Sequence, residues 1–203
     1  MKSDIPVTSL QRLPVYLNYL KSLGTDEGYI SSGAIARALN MGEVLVRKDL
    51  AYTAAEGKTR VGYKRSELIA ALEEYLGCND KKNAVIFGAG GLGHALLSYG
   101  GFENYGIEIV AAFDNDPKKI GTTASGKPIL SAESAKVEIK RLGAKLAAIC
   151  VPAKYAQEVA DILVDCGVKA ILNFAPALLI TPEEVTVRNM DMAANLAILS
   201  SLI

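Results

Sequence analysis

Two textures divide the chain. Up to about residue 78 the apolar positions recur at helical spacing between turns, and from residue 83 short β-branched runs alternate with helical stretches. In the first part, "ISSGAIARALN" (30–40) offers Ser31 or Ser32 as an N-cap, then a short helix with Ile35, Ala36 and Leu39 inward. "MGE" makes a turn, and "EVLVRKDLAYTA" (43–54) continues as a second helix with Val44, Val46 and Leu50 apolar. A further helix begins near Ser66 and ends near Gly77, and the polar stretch "GCNDKKN" (77–83) is a linker. Beyond it, strands are predicted at "AVIF" (84–87), "IEIVAAF" (107–113), "LAAICVP" (146–152) and "AILNF" (170–174). A helical stretch, "KYAQEVADILVDCG" (154–167), separates the last two. Such alternation predicts a parallel sheet wound on both faces. The closing "MDMAANLAILSSLI" (190–203) reads as a helix in which Met190, Met192, Ala193, Leu196, Ile198, Leu199 and Leu202 cover most of the circumference. A helix apolar on all sides must be surrounded, and a partner subunit is the expected cover. The expected domains are therefore residues 1–78, 79–189 and a dimerisation helix at 190–203.

The first of those strands runs directly into Gly88-Ala89-Gly90-Gly91-Leu92-Gly93, and helix-compatible residues follow. In that context Gly88 allows a tight turn, Gly90 lets the backbone approach a pyrophosphate, and Gly93 lets helix and strand pack closely. The second strand ends in Asp114, 21 positions after Gly93, where an acid accepts hydrogen bonds from a ribose 2′-OH and repels a 2′-phosphate. The expected cofactor is NADH or NAD+ rather than the phosphorylated form. Parallel sheets bind ligands at the carboxyl ends of their strands, which makes Val151, Pro152, Ala153 and Asn173 candidate lining residues.

Catalytic chemistry is harder to find. The single histidine, His94, directly follows the last glycine and reads as a helix residue near phosphate. Cys150 falls in a predicted buried strand and Cys166 after an amphipathic helix, positions more typical of core than of nucleophiles. Tyr99 lacks the lysine four residues on that a Tyr/Lys hydride-transfer pair carries. No catalytic residue and no metal site is expected.

Composition narrows the setting. The chain has 22 Lys and Arg against 22 Asp and Glu, so any nucleic-acid surface must be local. Three cysteines without a CxxC fit a reducing cytoplasm. The start "MKSDIPVTSLQR" lacks an apolar signal core, and no apolar run approaches the ~18 residues that span a membrane. The expectation is a cytoplasmic protein. The local surface is present: residues 37–65 hold seven Lys and Arg against three acids, including Arg47 and Lys48 on the second helix and Lys58 and Arg60 beyond it. Helix, tight turn and basic second helix form a helix-turn-helix pattern with an electrostatic footprint for phosphate.

These pieces resemble the Rex family of redox-sensing transcriptional repressors. The resemblance is carried by "RLPVYLNYL" (12–20), "VRKDLAY" (46–52), "GK" followed by "VGY" (57–63), "GAGGLGHALLSYGGF" (88–102), "IVAAFDNDPKKIG" (109–121), "VPA" with "AQEVAD" (151–161), "ILNFAP" (171–176) and "VRNMD" (187–191). It implies an α/β chain with an N-terminal winged-helix domain, a Rossmann parallel-sheet domain binding NADH or NAD+, and a C-terminal helix exchanged within a homodimer. It also implies repression at double-stranded operator DNA that NADH relieves. The DNA-facing candidates are Ser32, Arg47, Lys48, Tyr52, Lys58, Arg60 and Tyr63. By the same resemblance, Asp191 of one protomer pairs with Tyr99 in one state and with Arg12 in the other, so Tyr99 and Asp191 join the cofactor set. Two departures stand out: Thr53, Ala54, Ala55 and Arg60 replace aromatic and glycine positions of the wing, and Met192 replaces a common aromatic. The alternative is a small NAD(H)-dependent oxidoreductase with a helical oligomerisation domain. A Rossmann protein for coenzyme A is disfavoured by Asp114.

Overall fold

The computed structural model describes residues 5–24 and 28–203, and the chain divides into two compact units, residues 1–80 and 81–203. The first unit is built from helices α1 (Val7–Ser22), α2 (Ser32–Ala38), α3 (Glu43–Leu50) and α4 (Arg65–Leu76) with short strands β1 (Tyr29–Ile30) and β2 (Tyr63–Lys64). Leu13, Tyr16, Leu17 and Leu20 share one face of α1 and are buried, as are Ile35 of α2, Val46 and Leu50 of α3 and Leu68 and Leu72 of α4. Leu39 is half-buried, and Val44 points outward, 55% exposed. The N-cap of α2 is Ser31, whose hydroxyl accepts from the Ala34 N–H at 3.1 Å. Asn40, at φ 52°, turns the chain from α2 toward α3. The antiparallel pair of β1 and β2 carries a wing whose tip closes by reciprocal Lys58–Gly62 backbone bonds, both 2.8 Å.

The second unit is a seven-stranded sheet: β3 (Lys82–Phe87), β4 (Ile107–Asp114), β5 (Thr123–Ala124), β6 (Lys127–Ser131), β7 (Leu146–Ile149), β8 (Ala170–Asn173) and β9 (Thr186–Asn189). Their spatial order is β5-β6-β4-β3-β7-β8-β9, parallel except for the β5–β6 edge pair. Helix α5 (Gly91–Ser98) packs on one face through Leu97 over Ile86, Ile109 and Ala112. Helices α6 (Ala135–Leu142) and α7 (Ala153–Asp165) cover the other through Ile139, Ala160 and Leu163 over Val85, Phe87 and Phe113. The chain closes with α8 (Met192–Ser200), all of whose residues are exposed in the single chain. Met190 and Asp191 lie outside this helix, a correction to the expected start: Asp191 is its N-cap, accepting from the Ala194 N–H at 2.8 Å.

Candidate cofactor cleft and DNA-facing surface

The chain runs from β3 outward to β4 and then returns across β3 to β7. At such a reversal the carboxyl ends of neighbouring strands part and leave a crevice. Here the crevice is a cleft of about 750 Å³ bounded by Phe87 and Gly88 after β3, Phe113 and Asp114 at the end of β4, and Cys150, Val151 and Pro152 after β7. That volume suits a cofactor-sized ligand.

The glycines divide their roles. Gly88 adopts φ +94°, and a Cβ there would sit 2.6 Å from the Cys150 carbonyl oxygen. A Cβ on Gly93 would strike the carbonyl oxygen of Gly88, so the first turn of α5 lies directly on the strand end. At Gly90 and Gly91 nothing stands within 4 Å of a Cβ position. The backbone is therefore open at the start of α5, whose unpaired N–H groups favour an anion. A pyrophosphate fits this cradle.

Asp114 is 8% exposed and heavily engaged. One carboxylate oxygen accepts from the Ala89 N–H (2.7 Å) and the Lys119 ammonium (3.0 Å), and the other from the Asp116 N–H (2.9 Å). Burial pushes this carboxyl up, but the hydrogen bonds from Asp116, Lys119 and Ala89 outweigh it and hold the group below the ordinary carboxylate range. Asp114 thus anchors the glycine turn as well as facing the cleft. Cys150, half-buried in the wall of the same cleft, has its thiol pushed up to about 11 by burial, so it stays protonated at neutral pH.

Of the expected cofactor residues, Gly88, Gly90, Asp114, Val151 and Pro152 line the cleft. Ala89 is buried against Asp114, Gly91, Leu92 and Gly93 form the first turn of α5, and Ala153 opens α7. Asn173 is not a lining residue, contrary to expectation. It is fully buried, donates to the Ala177 carbonyl and the Asn189 side chain, and accepts from the Ala175 N–H. A strand-end asparagine can serve its own loop as well as a ligand, and here the loop claims it. Tyr99 ends α5, 59% exposed, with its ring edge-on to Phe102 at 5.2 Å. Sequence reasoning missed Lys119, Tyr155 and Glu158, which also line the cleft. The last two stand on the first turns of α7, directly after the β7 strand end, and that position was the available signal.

On the first unit, α3 turns Val46, Asp49 and Leu50 inward and leaves Arg47 and Lys48 exposed. Tyr52 is 39% exposed just beyond α3, and Tyr63 is half-buried in β2. The Lys58 ammonium lies 5.6 Å from the Tyr29 ring centre within the wing. Arg60 is exposed at φ 66°. Two expectations change. Ser32 is buried at the start of α2, its hydroxyl 3.5 Å from a Glu43 carboxylate oxygen. Arg65, counted in the basic excess, is buried and donates to the Gly24 carbonyl, so that excess is smaller at the surface.

Arg12 is bound inside this unit. Its Nε and Nη2 donate to the two oxygens of Asp49 at 2.6 and 2.8 Å, and the Tyr16 hydroxyl donates to the same carboxylate at 2.6 Å. Burial raises the Asp49 carboxyl, yet the bonds from Arg12, Tyr16 and Ser9 together bring it below its ordinary value. The Tyr16 phenol is pushed up to about 12, chiefly by burial and then by the neighbouring carboxylate.

Comparison with known proteins agrees with both halves. Residues 79–177 match the family described as CoA binding domain, and residues 4–51 the family described as putative DNA-binding protein N-terminus. The redox-sensing transcriptional repressor Rex of Bacteroides fragilis is 39% identical over 97% of this chain and 90% of its own length. That of Treponema denticola is 40% identical over 98% and 95%. Among solved structures, RSP in complex with beta-NAD+ and operator DNA superposes with a TM-score of 0.93 at 31% identity, over 98% of this chain and 93% of that one. RSP in complex with beta-NADH superposes with a TM-score of 0.88 at 30% identity, over 98% and 94%.

Proposed function

Since the chain belongs to the Rex family of redox-sensing transcriptional repressors, we propose that it binds double-stranded operator DNA as a homodimer and releases it when NADH occupies the cleft. The observation that carries the reading is the pairing, in one chain, of an anion-ready glycine turn backed by Asp114 with a helix exposing Arg47 and Lys48. The same pairing accounts for a cofactor site without a reagent's machinery. Asp114 is spent on the turn, the Cys150 thiol is held protonated, and the cofactor acts as a signal. The protein is then a cytoplasmic regulator and not an enzyme.

A signal shifts DNA binding only if it favours one of two states. NADH and NAD+ differ by the charge and planarity of the nicotinamide ring, so the reporter belongs near that ring. On this reading the partner subunit's Asp191 alternates between Tyr99 and Arg12. The exposed phenol of Tyr99 and the part-exposed guanidinium of Arg12 are both donors, and one carboxylate cannot serve both at once.

The test is a gel shift on palindromic duplexes selected from a random pool, titrated with NADH and with NAD+. NADH is expected to weaken DNA binding by roughly 5–150-fold, the usual span of coupling between two sites. NAD+ is expected to leave it in place. Arg47→Ala/Lys48→Ala should lose DNA and keep NADH affinity. Failure to select any duplex, or hydride transfer from bound NADH to an added carbonyl compound, would favour the oxidoreductase instead.

A further inference from the structure

The outward surface of α3 is basic except for one exposed acid. Glu43 opens the helix, one turn before Arg47. Glutamate and arginine at that spacing commonly pair. Among the described residues, however, no ion pair or hydrogen bond joins these two. The carboxylate is turned toward α2 instead. A Cβ on Gly33 would lie 3.0 Å from Glu43 Oε2, 3.1 Å from Cδ and 3.3 Å from Oε1, so the group rests in the space that a glycine leaves. The Ser32 hydroxyl stands 3.5 Å from Oε1, and Ser32 and Gly33 are both buried. Glu43 is therefore an acceptor seated at the start of the DNA-facing helix, with no cation to neutralise it among the described residues.

Against DNA such a group is a liability. A carboxylate near phosphates lowers affinity for every sequence alike. It gains only where a donor meets it, and the major groove offers donors in the amines of cytosine and adenine. The first residues of the second helix of a helix-turn-helix are the ones that reach base edges. Cytosine presents its N4 amine alone, adenine sets the N7 acceptor beside its amine, and guanine and thymine present acceptors. We infer that Glu43 reads a cytosine in each operator half-site by accepting from its N4 amine. The inference rests on the reading that α3 meets the DNA. The neighbouring cations attract DNA of any sequence, and Glu43 sets a penalty that a cytosine lifts. Ser32 and Gly33 then serve recognition indirectly, by holding the carboxylate in place.

The experiment selects palindromic duplexes from a random pool with the full chain, then measures affinity for single-base variants of the selected duplex. Wild type should require cytosine at one position of the half-site. Any other base there, in one half-site, should weaken binding by roughly 5–150-fold, the usual cost of one mismatch. N4-methylcytosine at that position blocks the amine that faces the groove, and it should weaken binding by a similar factor. Glu43→Ala should keep every other preference, accept all bases at this position within about twofold, and ignore the N4-methyl group. A selected half-site without a required cytosine overturns the inference, as does wild-type binding that is indifferent to N4-methylation. A Glu43→Ala chain that keeps the cytosine preference also overturns it. Tighter binding of all duplexes would then identify a charge that only repels, and weaker binding of all a brace between α2 and α3. Failure of the underlying reading has a different signature. Either no duplex is selected, or Arg47→Ala/Lys48→Ala binds the selected duplex as tightly as wild type, and base reading by α3 falls with it. If Glu43→Ala does not fold, the wild-type chain on the N4-methylated duplex decides the matter alone.

Discussion

Asp114 carries three hydrogen bonds before any ribose approaches it, and this changes what its replacement should do. Asp114→Ala leaves the Ala89 N–H buried and unpaired, at a cost of about 1–3 kcal/mol. It also frees the Lys119 ammonium beside a 2′-phosphate. NADH affinity should therefore fall while the NADH-over-NADPH preference narrows. Lys119→Ala should widen that preference by about tenfold, the effect of roughly 1.4 kcal/mol. Calorimetry with both dinucleotides checks the pair, and an unchanged preference in both variants removes this carboxylate from cofactor choice. Titration offers a second check. The Tyr16 phenol is raised from 10 to about 12 in the fold, so the stability it contributes is present below pH 10 and is lost as pH rises toward 12. The carboxyls of Asp49 and Asp114 are lowered, so their contribution is present above about pH 4 and is lost as pH falls below it. Thermal melts of Tyr16→Phe should lack part of the alkaline loss. The position of Asp114 was legible from its spacing to Gly93. Its engagements were not, because Lys119 reaches it from a loop whose path no periodicity specifies.

At the level of elements, periodicity revealed most of what packs. The α2–α3 pair, the strands at β3, β4, β7 and β8, and the helix α7 all carry apolar faces that a 2.0 or 3.6 repeat exposes. The strands β5, β6 and β9 and the helix α6 went unread, and so did roles that are polar and local: Asp191 as the cap of α8, Asn173 as a loop brace, Arg65 turned inward. Such roles depend on which backbone group lies nearby, and a pattern of apolar positions does not encode that. The wing shows a case in between. Arg60 stands where the family resemblance leads one to expect glycine, and the backbone there has φ 66°, a left-handed conformation that glycine adopts freely. An L side chain in it loses roughly 1–2 kcal/mol, and glycine's greater unfolded-state entropy offsets about 0.5–1 of that. Arg60→Gly should therefore leave the chain equally stable or more stable by up to about 1.5 kcal/mol in urea melts. If Arg60 contacts phosphate, the same change should reduce the salt slope of operator binding by about one. A less stable variant means that the arginine side chain makes contacts that outweigh its backbone strain.

The whole molecule raises the question of what covers α8. Met192, Leu196, Ile198, Leu199 and Leu202 are each more than half exposed in the single chain. Contiguous apolar surface of this kind marks an interaction site in a soluble protein. On the dimer reading the partner subunit covers it, and the dimer is also what lets two copies of α3 meet half-sites about 34–36 Å apart. The two roles are separable by one variant. Leu196→Asp/Leu199→Asp places charges on surface that is already exposed in the monomer, so the fold of each subunit should be unaffected. The dimer should not survive burial of two carboxylates without partners. Sedimentation at micromolar concentration should then show a monomer. Operator affinity should fall by about 10²–10⁴-fold, because a second contact made within one particle gains that much from effective concentration. Binding to an isolated half-site duplex, where no second contact exists, should hardly change. A variant that remains dimeric shows that α8 is covered in some other way. One that becomes monomeric yet holds the full palindrome as tightly as wild type shows that each subunit reads DNA alone.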